Sequence, residues 1–201
     1  SVCRYYDSQG RLFRESDTKA DLDIDIIYDS SGRLKEKRGY RGEDTFWKEQ
    51  YLYDEESRLI HVIQSDLNNE LYQREDYSYE PKKIIFNKYL LDYPVTLDLL
   101  DLAPLDNPWY RTIKYYNDSQ NMIKLENYRW NGPMGMILTE KNLYTYDSDS
   151  RLIKVEEVHR EKIWEFSYDD LDNWISLTYK DNLNSPEEES VKWVRHIEYY
   201  K

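Results

Sequence analysis

One phrase recurs along this chain and limits what it can fold into. YDSQGRL begins at Tyr6, YDSSGRL at Tyr28, YDEESRL at Tyr53 and YDSDSRL at Tyr146, and looser copies begin at Tyr79 (YEPKKII), Tyr116 (YNDSQNMI) and Tyr168 (YDDLDNWI). Self-similarity of this kind marks a chain assembled from one small structural unit used repeatedly. The step between copies is irregular, and the longest, from Tyr79 to Tyr116, calls for an insertion. The Tyr116 copy reads as carrying one extra residue, which sets Asn121 at the glycine position.

Each letter of the unit has a physical reason. Aspartate at the first position of a type I turn accepts the backbone N–H groups just ahead, and glycine at the fourth adopts φ > 0. The unit is therefore a β-hairpin with a three-residue loop closed by a bulge at the glycine. In the second copy the loop is Ser30, Ser31 and Gly32, so Asp29 stands across from Arg33 and Tyr28 across from Leu34. Aspartate and arginine form an ion pair on one face, tyrosine and leucine pack on the other, and each pair contributes roughly 0.2–1 kcal/mol. Tyr6, Asp7, Gly10, Tyr28, Asp29, Gly32, Tyr53, Asp54, Tyr146, Asp147, Tyr168 and Asp169 are on this reading structural turn residues. Asn121 and Asp172 tolerate φ > 0, whereas Ser57 and Ser150 do so less well and predict strained or differently shaped turns.

Carried outward, the register sets Asp25 opposite Lys37 and Lys141 opposite Glu157, and puts Trp164 and Phe166 on the face of Tyr168 and Trp174. Tyr51 and Trp47 fall on one side of the third hairpin and Leu52, Ile60 and Val62 on the other, so both faces are mixed. The expected fold is all-β: an antiparallel meander of hairpins forming a curved, mostly single-layer sheet, one domain over residues 1–201. Residues 90–109, LLDYPVTLDLLDLAPLDNPW, interrupt the array. Thr96 can cap a helix, LDLLDLA supplies about two turns and Pro104 stops it, which predicts one short helical insertion covering a side of the sheet.

The unit resembles the RHS or YD-repeat family, whose members carry a Y-D-x-x-G-R-L core. The resemblance is strong at 6–12, 28–34, 53–59 and 146–152 and weaker at 168–174 and 79–85. YDDLDNWISLTY and VRHIEYY also resemble the final unit of short exported repeat proteins from Gram-negative envelopes. The resemblance implies an exported protein, periplasmic or on the cell surface, with a lipid anchor in the full-length precursor as one means of attachment. It further implies a partner that is a glycan or a protein of the cell envelope. Large members form β-shells around a toxin, for which 201 residues are too few.

Composition narrows the partners further. Lys+Arg 28 against Asp+Glu 40 gives a net charge of -12, which repels nucleic acid and anionic membrane surfaces. No apolar run approaches the roughly 18 residues of a membrane span, and no signal-peptide pattern is present. Cys3, the single cysteine, reads as a strand residue and rules out an internal disulfide. The 21 tyrosines and 6 tryptophans argue for a folded chain with a thin core.

No motif assigns chemistry. His61, His159 and His196 lack ligand spacing and read as strand-surface residues, and Asp21, Asp23 and Asp25 alternate along a strand where calcium needs a loop bent around it. No nucleophile elbow, P-loop or dinucleotide fingerprint occurs, and NGPMG at 131–135 reads as a hairpin turn. The expectation is a non-catalytic binding or scaffold module without metal or cofactor. Two other readings are an envelope-polymer hydrolase whose carboxylate pair no motif marks, and a neutraliser of a basic toxin. Trp109, Tyr110 and Trp130, beside the insertion, are the candidate ligand-binding residues along one border of a groove.

Overall fold

The computed structural model describes residues 1–42, 44–66, 70–96, 107–181 and 190–195. The strands are β1 Val2–Tyr6, β2 Leu12–Asp17, β3 Leu22–Tyr28, β4 Leu34–Arg41, β5 Asp44–Tyr53, β6 Leu59–Ser65, β7 Glu70–Glu80 and β8 Lys83–Thr96, then β9 Tyr110–Tyr116, β10 Met122–Trp130, β11 Met136–Tyr146, β12 Leu152–Glu157, β13 Lys162–Tyr168, β14 Trp174–Asp181 and β15 Ser190–Val194. They follow chain order in one open antiparallel sheet, with single 3-10 turns at Gly132–Met134 and Val158–Arg160. The all-β meander expected from the repeat is the fold observed. The chain gathers into two compact units, Ser1–Ser78 with Phe86–Trp109, and Tyr79–Ile85 with Tyr110–Lys201.

The turns form as their letters dictate. In the second hairpin Gly32, at φ 79, donates its N–H to Asp29 O at 3.0 Å, and Asp29 N donates to Arg33 O at 2.8 Å. Asp29 Oδ1 accepts the N–H groups of Ser31 and Arg33, both at 2.9 Å, and Oδ2 takes Arg33 Nε at 2.7 Å. Ser57 and Ser150 occupy the glycine site at φ 64 and 65 with the same turn bonds, so they keep the turn shape instead of altering it. The Tyr116 copy carries no extra residue. Tyr116 pairs with Met122, Gln120 takes φ 62, and Asn121 stands in the arginine position. The Tyr79 copy does differ: Pro81 and Lys82 alone connect β7 to β8, with Lys82 at φ 59.

A second bulge, invisible in the letters, follows every one of these six three-residue turns. After Tyr28↔Leu34 the ladder resumes at Ile27↔Glu36, leaving Lys35 unpaired. The same skip falls on Phe13, Ile60, Ile123, Ile153 and Ile175. One skipped residue moves every later side chain of that strand to the other face. Asp25 therefore stands opposite Arg38 and not Lys37, and Glu157 opposite Asn142 and not Lys141. Val62 pairs with Tyr51 on one face, where the unbulged count separated them. Trp164 and Phe166 alternate with Tyr168 as expected, and the Trp164 ring packs 5.4 Å from Tyr179.

The segment expected to interrupt the array does so later than its first letters suggest. β8 continues through Leu90 to Thr96, so Thr96 ends a strand. LLDYPVT carries the aromatic and β-branched residues that suit a strand. The proposed turns at 97–106 lie outside the described residues.

Little apolar mass is buried. Val62, Ile63, Leu71 and Tyr89 are the buried hydrophobic side chains among the described residues. The hairpins are held instead by a ladder between successive repeats. Tyr28 Oη donates to Leu12 O at 2.9 Å, Tyr53 Oη to Leu34 O at 2.8 Å, Tyr146 Oη to Met122 O at 2.9 Å and Tyr168 Oη to Leu152 O at 2.8 Å. The arginine of the earlier repeat lies over the tyrosine ring of the later one: Arg11 on Tyr28 at 4.9 Å, Arg33 on Tyr53 at 4.6 Å, Arg151 on Tyr168 at 5.4 Å. That arginine also reaches the later turn, Arg33 to Ser57 Oγ at 3.1 Å and Arg151 to Asp172 Oδ1 at 2.9 Å. Serine and aspartate at those glycine sites offset their φ > 0 with an acceptor that glycine lacks.

These bonds make stability depend on acid. The backbone N–H of the residue four ahead, helped by its guanidinium, holds the carboxyls of Asp7, Asp29 and Asp147 below the usual range. A depressed folded value means the unfolded chain takes up protons first as pH falls, so the contribution is complete above the unfolded value of 3.8 and disappears as pH drops below it. The melting temperature is expected to be flat above about pH 5 and to fall below pH 4, with a shallower fall in Asp29→Asn. Asn117 shows that the amide supports the turn, accepting Asn121 N at 2.9 Å. An unchanged acid slope in that variant would refute the assignment.

Candidate functional site

The sequence-nominated residues take separate positions. Trp109 stands immediately before β9 and is 42% exposed. Tyr110 opens β9 opposite Arg129, and Trp130 closes β10 opposite Met136. Consecutive strand residues face opposite ways, so Trp130 points away from the face shared by Arg129 and Tyr110. NGPMG forms the expected hairpin turn, with Asn131 N donating to Gly135 O at 2.9 Å.

The polar side chains between the turns form clamps that sequence reasoning missed. A Glu-x-Tyr triplet occurs on β5, β7 and β10, with both side chains on one face. Tyr51 donates to Glu49, Tyr77 to Glu75 at 3.1 Å, and Tyr128 to Glu126 at 3.1 Å. Glu126 is 8% exposed. Burial pushes its carboxyl up, but Lys124 and the Tyr115 and Tyr128 hydroxyls together hold it below the usual range. Burial and the Glu49 bond push the Tyr51 hydroxyl up, so it remains a donor. The recurrence of EQY, EDY and ENY was the available signal.

The histidines and acidic cluster are also accounted for. His61 Nδ1 lies 2.7 Å from Asp76 Oδ1, and Arg74 Nε donates to the same oxygen at 2.6 Å. Burial raises the Asp76 carboxyl, yet the His61 and Arg74 bonds prevail and hold it low. His159 sits in the exposed turn after β12, not on a strand, because β12 ends at Glu157; His196 lies outside the described residues. Arg14 reaches Asp23 at 2.6 Å and Asp25 at 3.7 Å, while Asp21 is in the preceding turn at φ 49.

No protein-family profile and no curated protein matches the sequence. Among solved structures, the chain is similar to a chain of the TcdB2-TccC3-TEV crystal structure, with a TM-score of 0.56 and 16% identity over 95% of this chain and 9% of that one. A chain of the Photorhabdus luminescens Tc holotoxin pore gives a TM-score of 0.54 at 15% identity, again over 95% and 9%. TcdB2-TccC3 without its hypervariable C-terminal region gives 0.55 at 16% identity over 94% and 9%. At these identities the likeness is one of fold, and this chain spans about a tenth of the length of those it matches.

Proposed function

We propose that the chain is a non-catalytic binding or scaffold module of the bacterial cell envelope that presents aromatic side chains to a glycan or protein. The observation that carries this reading is a division of labour among the aromatics. Tyr28, Tyr53, Tyr146 and Tyr168 spend their hydroxyls on carbonyls of the preceding repeat, whereas Phe46, Trp109 and Trp193 stand 39%, 42% and 47% exposed outside the repeat positions. Large aromatics on a hydrogen-bonded sheet offer apolar area with little ordering cost on binding. The fold shared with part of the TcdB2-TccC3 assemblies supports the scaffold half of the reading.

The test uses Trp109→Ala and Trp130→Ala separately, each checked by thermal melt and then screened against glycans and envelope extracts. At least a tenfold loss of binding in one correctly folded variant is expected. Two folded variants that bind as the parent does would remove these residues from the surface.

A further inference from the structure

β11 runs on past its partner. The ladder to β12 spans Asn142↔Glu157 to Tyr146↔Leu152, but β11 begins six residues earlier at Met136. β12 stops at Glu157, and the chain bends away through Val158–Arg160 with Glu161 left-handed at φ 51. The notch left behind is a cleft of about 220 Å³ lined by Glu140, Lys141, Asn142, Glu157, His159 and Arg160 among others.

Among the described residues, two of its buried oxygens have no hydrogen bond. Asn142 is 8% exposed; its Nδ2 donates to Glu140 Oε1 at 3.0 Å, and its Oδ1 is buried without a hydrogen bond. Glu157, directly across the ladder, has its Oε2 buried without a hydrogen bond among the described residues, though ion-paired to the Arg160 guanidinium at 3.6 Å. Rotating the Asn142 amide gives no relief, because Oδ1 would then face a carboxylate that already accepts Asn127 Nδ2 at 2.6 Å. Buried acceptors of this kind are rare in folded chains and call for a supplied donor.

Charge narrows what supplies it. Glu140 and Glu157 set two negative charges against Arg160 at the mouth, while Lys141, next to Asn142 along β11, is directed to the opposite face. The cleft therefore repels anions, and a bare cation, which only donates, would leave the N–H groups of the turn unanswered. The missing groups are donors toward the strands, while His159 and Arg160, on the exposed turn, offer N–H groups at the mouth. A hydroxyl serves both, since it donates one hydrogen and accepts on its lone pairs. We infer that this cleft binds a sugar unit through neighbouring hydroxyls that donate to Asn142 Oδ1 and Glu157 Oε2. The inference rests on the reading of the chain as a binding module and gives it a site apart from the exposed aromatics.

The experiment is an NMR titration of the isotope-labelled full chain with glucose and with N-acetylglucosamine, using lysine and inorganic phosphate as charged comparisons. Saturable shifts of the Asn142 side-chain amide and the Arg160 Nε–H are expected with at least one sugar and with neither charged probe. Glu157→Gln can donate its own amide to Asn142 Oδ1, so it should raise the melting temperature while weakening sugar binding tenfold or more. A structural role alone would leave the titration unchanged. The cleft assignment is overturned by the absence of a saturable sugar shift, by a stronger response to lysine or phosphate, or by full affinity in Glu157→Gln. If the cleft fails while Trp109→Ala still abolishes binding to envelope extract, the module reading stands without it; if neither surface binds, both are lost.

Discussion

Replacing Gly39 with alanine is expected to destabilise the first unit by about 1–3 kcal/mol, the usual cost of forcing extra atoms into a packed site. Gly39 pairs directly with Trp47 across β4 and β5, and the indole covers the glycine. A Cβ added there would stand 2.1 Å from Trp47 Nε1 and 2.4 Å from Cε2, so the ring must leave. This glycine is required for close approach, not for a turn, and the aromatic fills the space that its missing side chain leaves in the strand. The ring is further held edge-on by Phe46, at 6.4 Å and 88°. Thermal melts and near-ultraviolet circular dichroism of Gly39→Ala, alone and in a Trp47→Ala background, measure the effect. The alanine should cost much less once the indole is gone. Equal costs in both backgrounds would show that Trp47 is not what excludes it.

The local chemistry of the hairpins was legible because it lies within seven consecutive letters. Asp29, Gly32 and Arg33 specify one turn, and the structure has that turn. The unbulged extension failed because the second bulge has no letter of its own: the skipped position is Phe13 in one copy, Lys35 in another and isoleucine in four. That single residue decided the candidate cleft. An unbulged count sets Lys141 against Glu157 as an ion pair, whereas the real register sets Asn142 there, and each of the two has a buried oxygen without a hydrogen bond among the described residues. The Arg–Tyr ladder was hidden for a different reason. Its partners sit in different repeats, and the distance between Arg33 and Tyr53 along the chain follows from hairpin length, which varies from copy to copy. Asn173 illustrates the dependence, since the last turn has no arginine to offer, and Arg195 instead lies over Trp174 at 5.6 Å.

A sheet stitched by polar contacts has few residues whose loss is severe, and Leu71 is the clearest of them. Its side chain is fully buried at 0% exposure, in a unit whose other buried hydrophobics among the described residues are Val62, Ile63 and Tyr89. Leu71→Ala is expected to cost about 2–5 kcal/mol, the range for a buried leucine whose surroundings cannot collapse into the cavity. Its cross-strand partner Ser65 is 1% exposed, and among the described residues the Ser65 hydroxyl has no hydrogen-bond partner. Ser65→Ala should therefore be neutral or mildly stabilising, because it removes a buried polar group that makes no bond. Leu52, 41% exposed on β5, supplies the comparison, and Leu52→Ala should change stability by no more than about 0.5 kcal/mol. Denaturant unfolding of the three variants separates the cases. A Leu71→Ala cost as small as that of Leu52→Ala would mean that the ladder alone holds the unit, with no core beneath it. A large loss in Ser65→Ala would mean that its hydroxyl has a partner, such as a buried water, and that the Ser65–Leu71 pair is polar at its centre.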